Sequence, residues 1–234
     1  MRFTVEQAVF EALPTVCIGV VVAEGLDNSS PALAINSLLR TAIEDARARF
    51  LGMNVKEHPA IVSYREAFRN LGYNPNKFPC SVEALTSRIA KGGEPPDINA
   101  AVNLVNAVSL KYTLPMGAHD MDSIQGDIAV RFSRENEPFT PLGEAESEAV
   151  PAGELVYADD REIRTRRWIW RQNDRGKVTR ASRRIFFPID GFVDVNLRSV
   201  EGAMAELSSL LQRFFGVPAR AHLVRRDNPS VTLQ

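Results

Sequence analysis

Between residues 98 and 112, apolar positions fall at Ile98, Ala101, Val105 and Val108, the spacing of one helical face. Asn99, Asn103 and Asn106 recur on a second face of the same predicted helix, and Asp97 stands where a cap is expected. Asparagine is a mediocre helix former, so three on one face imply hydrogen bonding, either inside the core or with a partner. Earlier in the chain, Val16 to Ala23 is an unbroken apolar run of eight residues and predicts a buried strand. A loop over Gly25 to Pro31 and a helix from Ala32 to Phe50 follow it. Tyr64, Phe68 and Leu71 mark a short amphipathic helix stopped by Gly72, and Ser81 is a good N-cap for another one that buries Val82, Leu85 and Ile89.

Beyond residue 125 the period shortens to two. Ile128, Val130 and Phe132 alternate, and the segments ending and beginning at Asp159-Asp160 predict a hairpin. The apolar run from Arg184 to Phe192 is interrupted at Pro188, which places it near an edge or bulge. Val200 to Phe215 predicts a helix with Val200, Met204, Leu207, Leu211 and Phe214 inward. Residues 219–224 predict a last strand, and the tail behind it reads as loose. Strands and helices follow one another without regular βαβ alternation or internal repeats, which predicts an α+β fold. We divide it into a strand–helix lead-in over residues 1–57 packed on a main domain over 58–218, with a C-terminal strand and tail over 219–234.

Composition narrows the classes. A chain of 234 residues with 44% hydrophobic content can bury one large core or two small ones. Cys17 and Cys80 are far apart and lack a CxxC, so neither a disulfide framework nor a zinc site is expected, and the setting reads as reducing and cytoplasmic. The longest strongly apolar run is far too short for a membrane span. Net charge is only −1, but it is unevenly laid out: residues 133–160 are acidic, and residues 161–184 carry a net charge of +8. That basic block holds Arg164, Arg166, Arg167, Trp168, Trp170 and Arg171. One reading is an aromatic and guanidinium surface for stacking and phosphate contact; the other is a core or edge tryptophan pair among solvated arginines. Lys77 and Arg88 are further basic residues with the same two readings.

Standard catalytic signatures are absent: no G-x-S-x-G, P-loop, GxGxxG or HExxH occurs. His58, His119 and His222 are too scattered for a metal site, so no metal and no cofactor is expected. His119 beside Asp120 is either a structural pair or an orienting pair for a water. Gly92, Gly93 and Gly117 allow close approach of backbone to a ligand, or simply serve turns.

The run from Tyr64 to Phe132, followed by FTPLG, GELVYADD and WIWRQ, resembles the editing module of the phenylalanyl-tRNA synthetase beta subunit, its third-and-fourth-domain region. It is more similar still to free-standing proteins built from that module alone. The resemblance covers roughly residues 60 to 215 and includes nothing of an aminoacylation core. It implies three layers of helices packed on sheets, and a pocket for the 3′ end of mischarged tRNA, whose wrongly attached amino acid the synthetase module hydrolyses. The module's V-D-x-T-N is met by residues 102–106, with Asn106 matching the asparagine and Asn103 replacing the aspartate. Its P-x-H-x-F-D is met by residues 115–120, with Asp120 matching, His119 at the phenylalanine and Gly117 at the editing-site histidine. The expected site is therefore Asn103, Asn106, Gly92, Gly93 and Gly117 for substrate, with His119 and Asp120 catalytic. Three functions stand open: a trans-acting deacylase of aminoacyl-tRNA, a non-catalytic tRNA-binding or other RNA-binding module, and a pocket for an amino-acid-like small molecule. No stable protein partner is expected.

Overall fold

The apolar run near the N-terminus is the strand β2 (Val16–Glu24), eight of whose nine residues are buried. Such a run, without polar alternation, suits a strand covered on both faces. In the computed structural model, residues 1–29 and 32–233 are described; Ser30 and Pro31 of the expected loop lie outside them. Strand β1 (Arg2–Val5) and helix α1 (Gln7–Ala12) precede β2. After it come α2 (Leu33–Arg49), α3 (Pro59–Asn70), α4 (Ser81–Ala90), α5 (Ala100–Tyr112), β3 (His119–Asp120), β4 (Ile128–Phe132), β5 (Glu137–Phe139) and β6 (Glu148–Val150). The chain then runs through β7 (Leu155–Ala158), β8 (Ile163–Arg166), β9 (Arg171–Gln172), β10 (Arg184–Phe192), α6 (Leu197–Phe215), β11 (Ala219–Val224) and β12 (Ser230–Thr232).

Two sheets carry the α+β fold, a four-stranded one in the order β11-β2-β10-β3 and a six-stranded one in the order β12-β1-β4-β7-β8-β9. Alternation along β2 divides its side chains between two cores. Cys17, Val21 and Ala23 meet α5 and α6 through Leu104, Val105, Val200 and Leu207. Val16, Ile18, Val20 and Val22 meet the six-stranded sheet through Phe3, Val130 and Tyr157. The molecule is thus three layers, with helices over one face of the four-stranded sheet and the second sheet over the other. Gly19 lets α6 sit directly on the sheet, since a Cβ there would lie 2.7 Å from the Met204 sulfur.

Helix α5 is the buried helix expected, but it starts later. Asn99, not Asp97, caps it by accepting from the Val102 amide at 3.1 Å, and Ile98, placed in the apolar stripe, is 45% exposed. At α4 the cap position belongs to Cys80, and Ser81 is the first helical residue. The tail is not loose: β12 pairs with β1, with Arg2 opposite Thr232. Pro188 lies inside a fully paired strand, since all nine residues of β10 face β2. Its carbonyl accepts from the Gly117 amide at 3.0 Å, so its missing N–H points to the flank away from β2, and no bond to β2 is lost.

Candidate functional site

On that flank β10 meets only the two-residue β3, and beyond it the segment 115–118 follows the strand loosely. The Gly117 amide donates to the Pro188 carbonyl, and the Asp190 amide donates to the Pro115 carbonyl, both at 3.0 Å. The gap left between this edge, the six-stranded sheet and the turn after β8 is a cleft of about 110 Å³. Gly117, His119 and Asp190 line it from one side, Tyr157, Thr165 and Trp168 from the other, and Ser81 and Arg171 also reach it. A Cβ at position 117 would lie 3.3 Å from the Pro188 ring, which would have to give by a few tenths of an ångström, and in ordinary contact with His119 Nε2 at 3.5 Å.

Asp190 forms the floor. It is 2% exposed, and its Oδ1 accepts from the Tyr157 hydroxyl and from Trp168 Nε1, each at 2.6 Å. The Tyr64 hydroxyl donates to its backbone carbonyl at 2.9 Å and accepts from Asn196 Nδ2 at the same distance. Burial pushes the Asp190 carboxyl up to about 7, against the pull of its two donors. The donor from Trp168 is delivered by a strained turn. Arg167 and Trp168 have φ of 45° and 61°, a left-handed conformation that costs non-glycine residues about 1–3 kcal/mol each. The tryptophans, which the sequence left as a stacking surface or a core or edge pair, are therefore separated by this turn, with Trp168 fully buried and Trp170 half-buried at the cleft.

A folded-state pKa raised above the unfolded value near 4 means that the native protein keeps a proton which the unfolded chain releases. Asp190 therefore makes stability fall as pH rises from about 4 to about 7. In Asp190→Asn the amide oxygen still accepts both donors while the titration disappears. Denaturant unfolding at pH 4.5 and 7.5 should show a smaller pH-dependent fall in the variant than in the wild type.

His119 is buried and its ring stacks on Tyr157 at 6.2 Å. Burial, with the neighbouring Arg164, lowers its pKa to about 3, so the imidazole is neutral throughout the physiological range. The expected pairing with Asp120 does not form, because successive side chains of an extended strand point apart. Asp120 instead accepts from Ser182 Oγ at 2.6 Å and from the Asp122 amide at 3.0 Å. Asn103 is also removed from the site: its Nδ2 donates to Asn36 and Asp97, fastening the loop before α5 to α2. Gly92, at φ 84°, and Gly93 end α4 by donating to the carbonyls of Ile89 and Arg88. Asn106 lines a second hollow with Arg88 and Pro95, which adjoins the cleft through Ser81 and Met116.

The basic block divides in two. Arg164 is buried against Asp159 and Glu162, and Arg166 against Glu148 and Glu154, so these arginines and Trp168 offer no surface to a phosphate. The acidic stretch supplies three of those four carboxylates (Glu148, Glu154 and Asp159), so the charge contrast is largely satisfied inside the fold. Trp170, Arg167 (paired with Glu154 at 3.2 Å) and Arg171 (paired with Glu144 at 2.7 Å) remain at the rim. The Arg167 guanidinium lies 3.9 Å from the Phe78 ring centroid and 4.8 Å from that of Trp170, and Lys77 Nζ lies 5.2 Å from Phe78. Phe78 and Trp170 meet edge to face at 4.8 Å. The sequence reading missed Phe78 at the rim and Asp190, Tyr157, Thr165 and Ser81 in the cleft.

Residues 63–216 match the B3/4 domain. The phenylalanine–tRNA ligase beta subunit of Fusobacterium nucleatum is 30% identical over 168 residues, covering 70% of this chain and 18% of that one. The corresponding subunit of Cutibacterium acnes is 37% identical over 76 residues, covering 32% of this chain and 9% of that one. The chain thus spans a small part of these relatives. The fold is similar to that of an N-terminal fragment of the phenylalanyl-tRNA synthetase beta subunit from Pyrococcus horikoshii, with a TM-score of 0.50 at 12% identity over 93% of this chain and 50% of that one. Among the described residues no helix is long and apolar enough to cross a membrane, and no group of three or more His, Cys, Asp or Glu side chains is placed to hold a metal ion. With its three layers, its cleft beside β10 and a match spanning most of its length, the chain belongs to the B3/4 domain family and is a module of the phenylalanyl-tRNA synthetase beta-subunit type.

Proposed function

We propose that this protein binds the 3′ end of an aminoacylated tRNA in the Asp190 cleft and hydrolyses the aminoacyl ester in trans. The observation that carries this reading is the aromatic–guanidinium platform of Phe78, Arg167 and Trp170, which joins through Trp170 a mainly apolar cleft with a few polar groups, among them Ser81, Thr165 and Asp190. Unpaired bases stack on such platforms, and the relatives are ligases named for a tRNA. An aminoacyl ester is already activated, so a positioned water suffices without a side-chain nucleophile. Ser81 and Thr165 line the cleft, and neither side chain hydrogen-bonds within the described residues, which leaves both hydroxyls to orient that water. His119 contributes as a neutral hydrogen-bonding ring rather than a proton carrier. That same neutrality, with glycine at 117, favours a second reading in which the module holds aminoacylated tRNA without hydrolysing it.

The RNA surface on this reading is Lys77, Phe78, Arg167, Trp170 and Arg171. Replacing Lys77, Arg167 and Arg171 with glutamine should weaken tRNA binding at least tenfold. It should also reduce the slope of log affinity against log salt by roughly 0.7 for each single-strand phosphate that is no longer neutralised. Trp170→Ala should cost about 1–3 kcal/mol of binding if one base stacks there. Unchanged affinity and salt slope in the triple variant would remove the rim from the interface.

A further inference from the structure

The cleft carries a charge order that ester hydrolysis alone does not require. Its charged lining residues are Asp190 at the buried floor and Arg171 at the mouth, whose side chain is 38% exposed and pairs at 2.7 Å with the exposed Glu144, an ion pair that a phosphate would compete with. We propose that Asp190 anchors the free α-ammonium group of the aminoacyl moiety, so that the site accepts aminoacyl esters with an unblocked amine and rejects N-acylated ones. The inference rests on the proposed function above and names the substrate class of that same site.

Three observations lead to it. First, Oδ1 of Asp190 is occupied by Tyr157 and Trp168, whereas Oδ2 receives no hydrogen bond among the described residues. A carboxylate only accepts, so its complement in the cleft is a donor, and a buried carboxylate is best matched by a charged one. Second, the rings of Tyr157, Trp168 and Trp170 line the same cleft, and aromatic faces attract ammonium groups. Third, an aminoacylated nucleotide has phosphate at one end and ammonium at the other. Arg171 at the mouth and Asp190 at the floor repeat that order in reverse sign. The strained turn at Arg167 and Trp168 fits this role, because it brings one of the two donors that hold the carboxylate in place.

The titratable neighbours leave Asp190 as the group that changes charge near neutrality. Tyr157 from β7 and Tyr64 from α3 are raised well above their usual value by burial. Burial likewise pushes Cys17, on the adjoining β2, up to about 12, and His119 is lowered to about 3. Affinity for an amine ligand is therefore expected to rise as Asp190 ionises and to fall again as the α-amine, with an ordinary pKa near 8, loses its proton.

The test uses stable amide analogues: 3′-amino-3′-deoxyadenosine acylated with alanine, phenylalanine or tyrosine, each with a free and with an acetylated α-amine. Binding is measured by calorimetry from pH 5 to 9. For the wild type, acetylation should weaken binding at least tenfold at pH 7.5. Asp190→Asn should lose at least tenfold for the free amines, leave the acetylated forms unchanged and flatten the rise with pH. Equal wild-type binding of free and acetylated forms overturns the inference while leaving the cleft as the site for the tRNA end. So does an Asp190→Asn variant that weakens both forms equally. Failure of every analogue to bind overturns the inference together with the function on which it rests.

Discussion

Val105→Asp should lower the unfolding free energy by roughly 4 kcal/mol, the cost of leaving a charge buried without a partner. Val105 is 2% exposed in the middle of α5, among Leu104, Val200, Leu207 and the inward side chains of β2 and β10. For a chain of this length the loss corresponds to a fall in Tm of roughly 8–16 °C. A melt within a degree or two of wild type would mean that α5 does not pack its Val105 face on the four-stranded sheet.

Arg164→Ala should be nearly as damaging, and for a reason opposite to the one the sequence suggested. The side chain is 1% exposed, donates from Nε to Asp159 Oδ2 at 2.9 Å and lies 3.6 Å from Glu162. Removing it strands buried carboxylates, a change that typically costs about 3–5 kcal/mol. Burial alone would raise the Asp159 pKa, but the Gln125 amide, Arg164 and the Glu162 amide outweigh it and hold the carboxyl below its usual value. The pair therefore contributes stability above the unfolded carboxyl pKa and loses it as pH falls through the folded one. In the variant that acid-sensitive contribution should already be missing at pH 7. The expected signature is a large drop in unfolding free energy with an unchanged tRNA salt slope. A stable variant with weakened RNA binding would return Arg164 to the interface.

These two residues mark how far the sequence could be read. Val105 belongs to a single helical stripe, and such periodic features (the β2 run, α5, α6 and the hairpin of β7 and β8) survive into the structure because burial follows period directly. Arg164 belongs to a charge block whose partners come from other stretches of the chain, Glu148 for Arg166 and Glu144 for Arg171 lying 18 and 27 residues earlier. Linear charge counts carry no register, so the block looked like an exposed surface. Trp168 was misplaced because Arg and Trp are not turn-forming residues, and two consecutive positive φ values at such positions arise only from tertiary contacts. His119 was legible as a histidine beside an aspartate, and the resemblance added Gly117 at the editing-site histidine. Asp190 was hidden in the apolar run from Arg184 to Phe192, although a lone carboxylate in a strand buried on both faces is itself a signal. The asparagine face was legible as hydrogen-bonding work but not as separate tasks: Asn99 caps α5, Asn103 fastens a loop and Asn106 faces a hollow.

The central claim is that this module acts on the aminoacyl end of tRNA, and single-turnover deacylation tests it most directly. With the protein in excess over a panel of correctly and incorrectly charged tRNAs, loss of the ester is followed against the spontaneous rate. The account predicts acceleration for at least one charged tRNA, slowed by Asp190→Asn and by the rim variants. Spontaneous rates for every member of the panel, with tRNA binding intact, would contradict hydrolysis and leave a binding module.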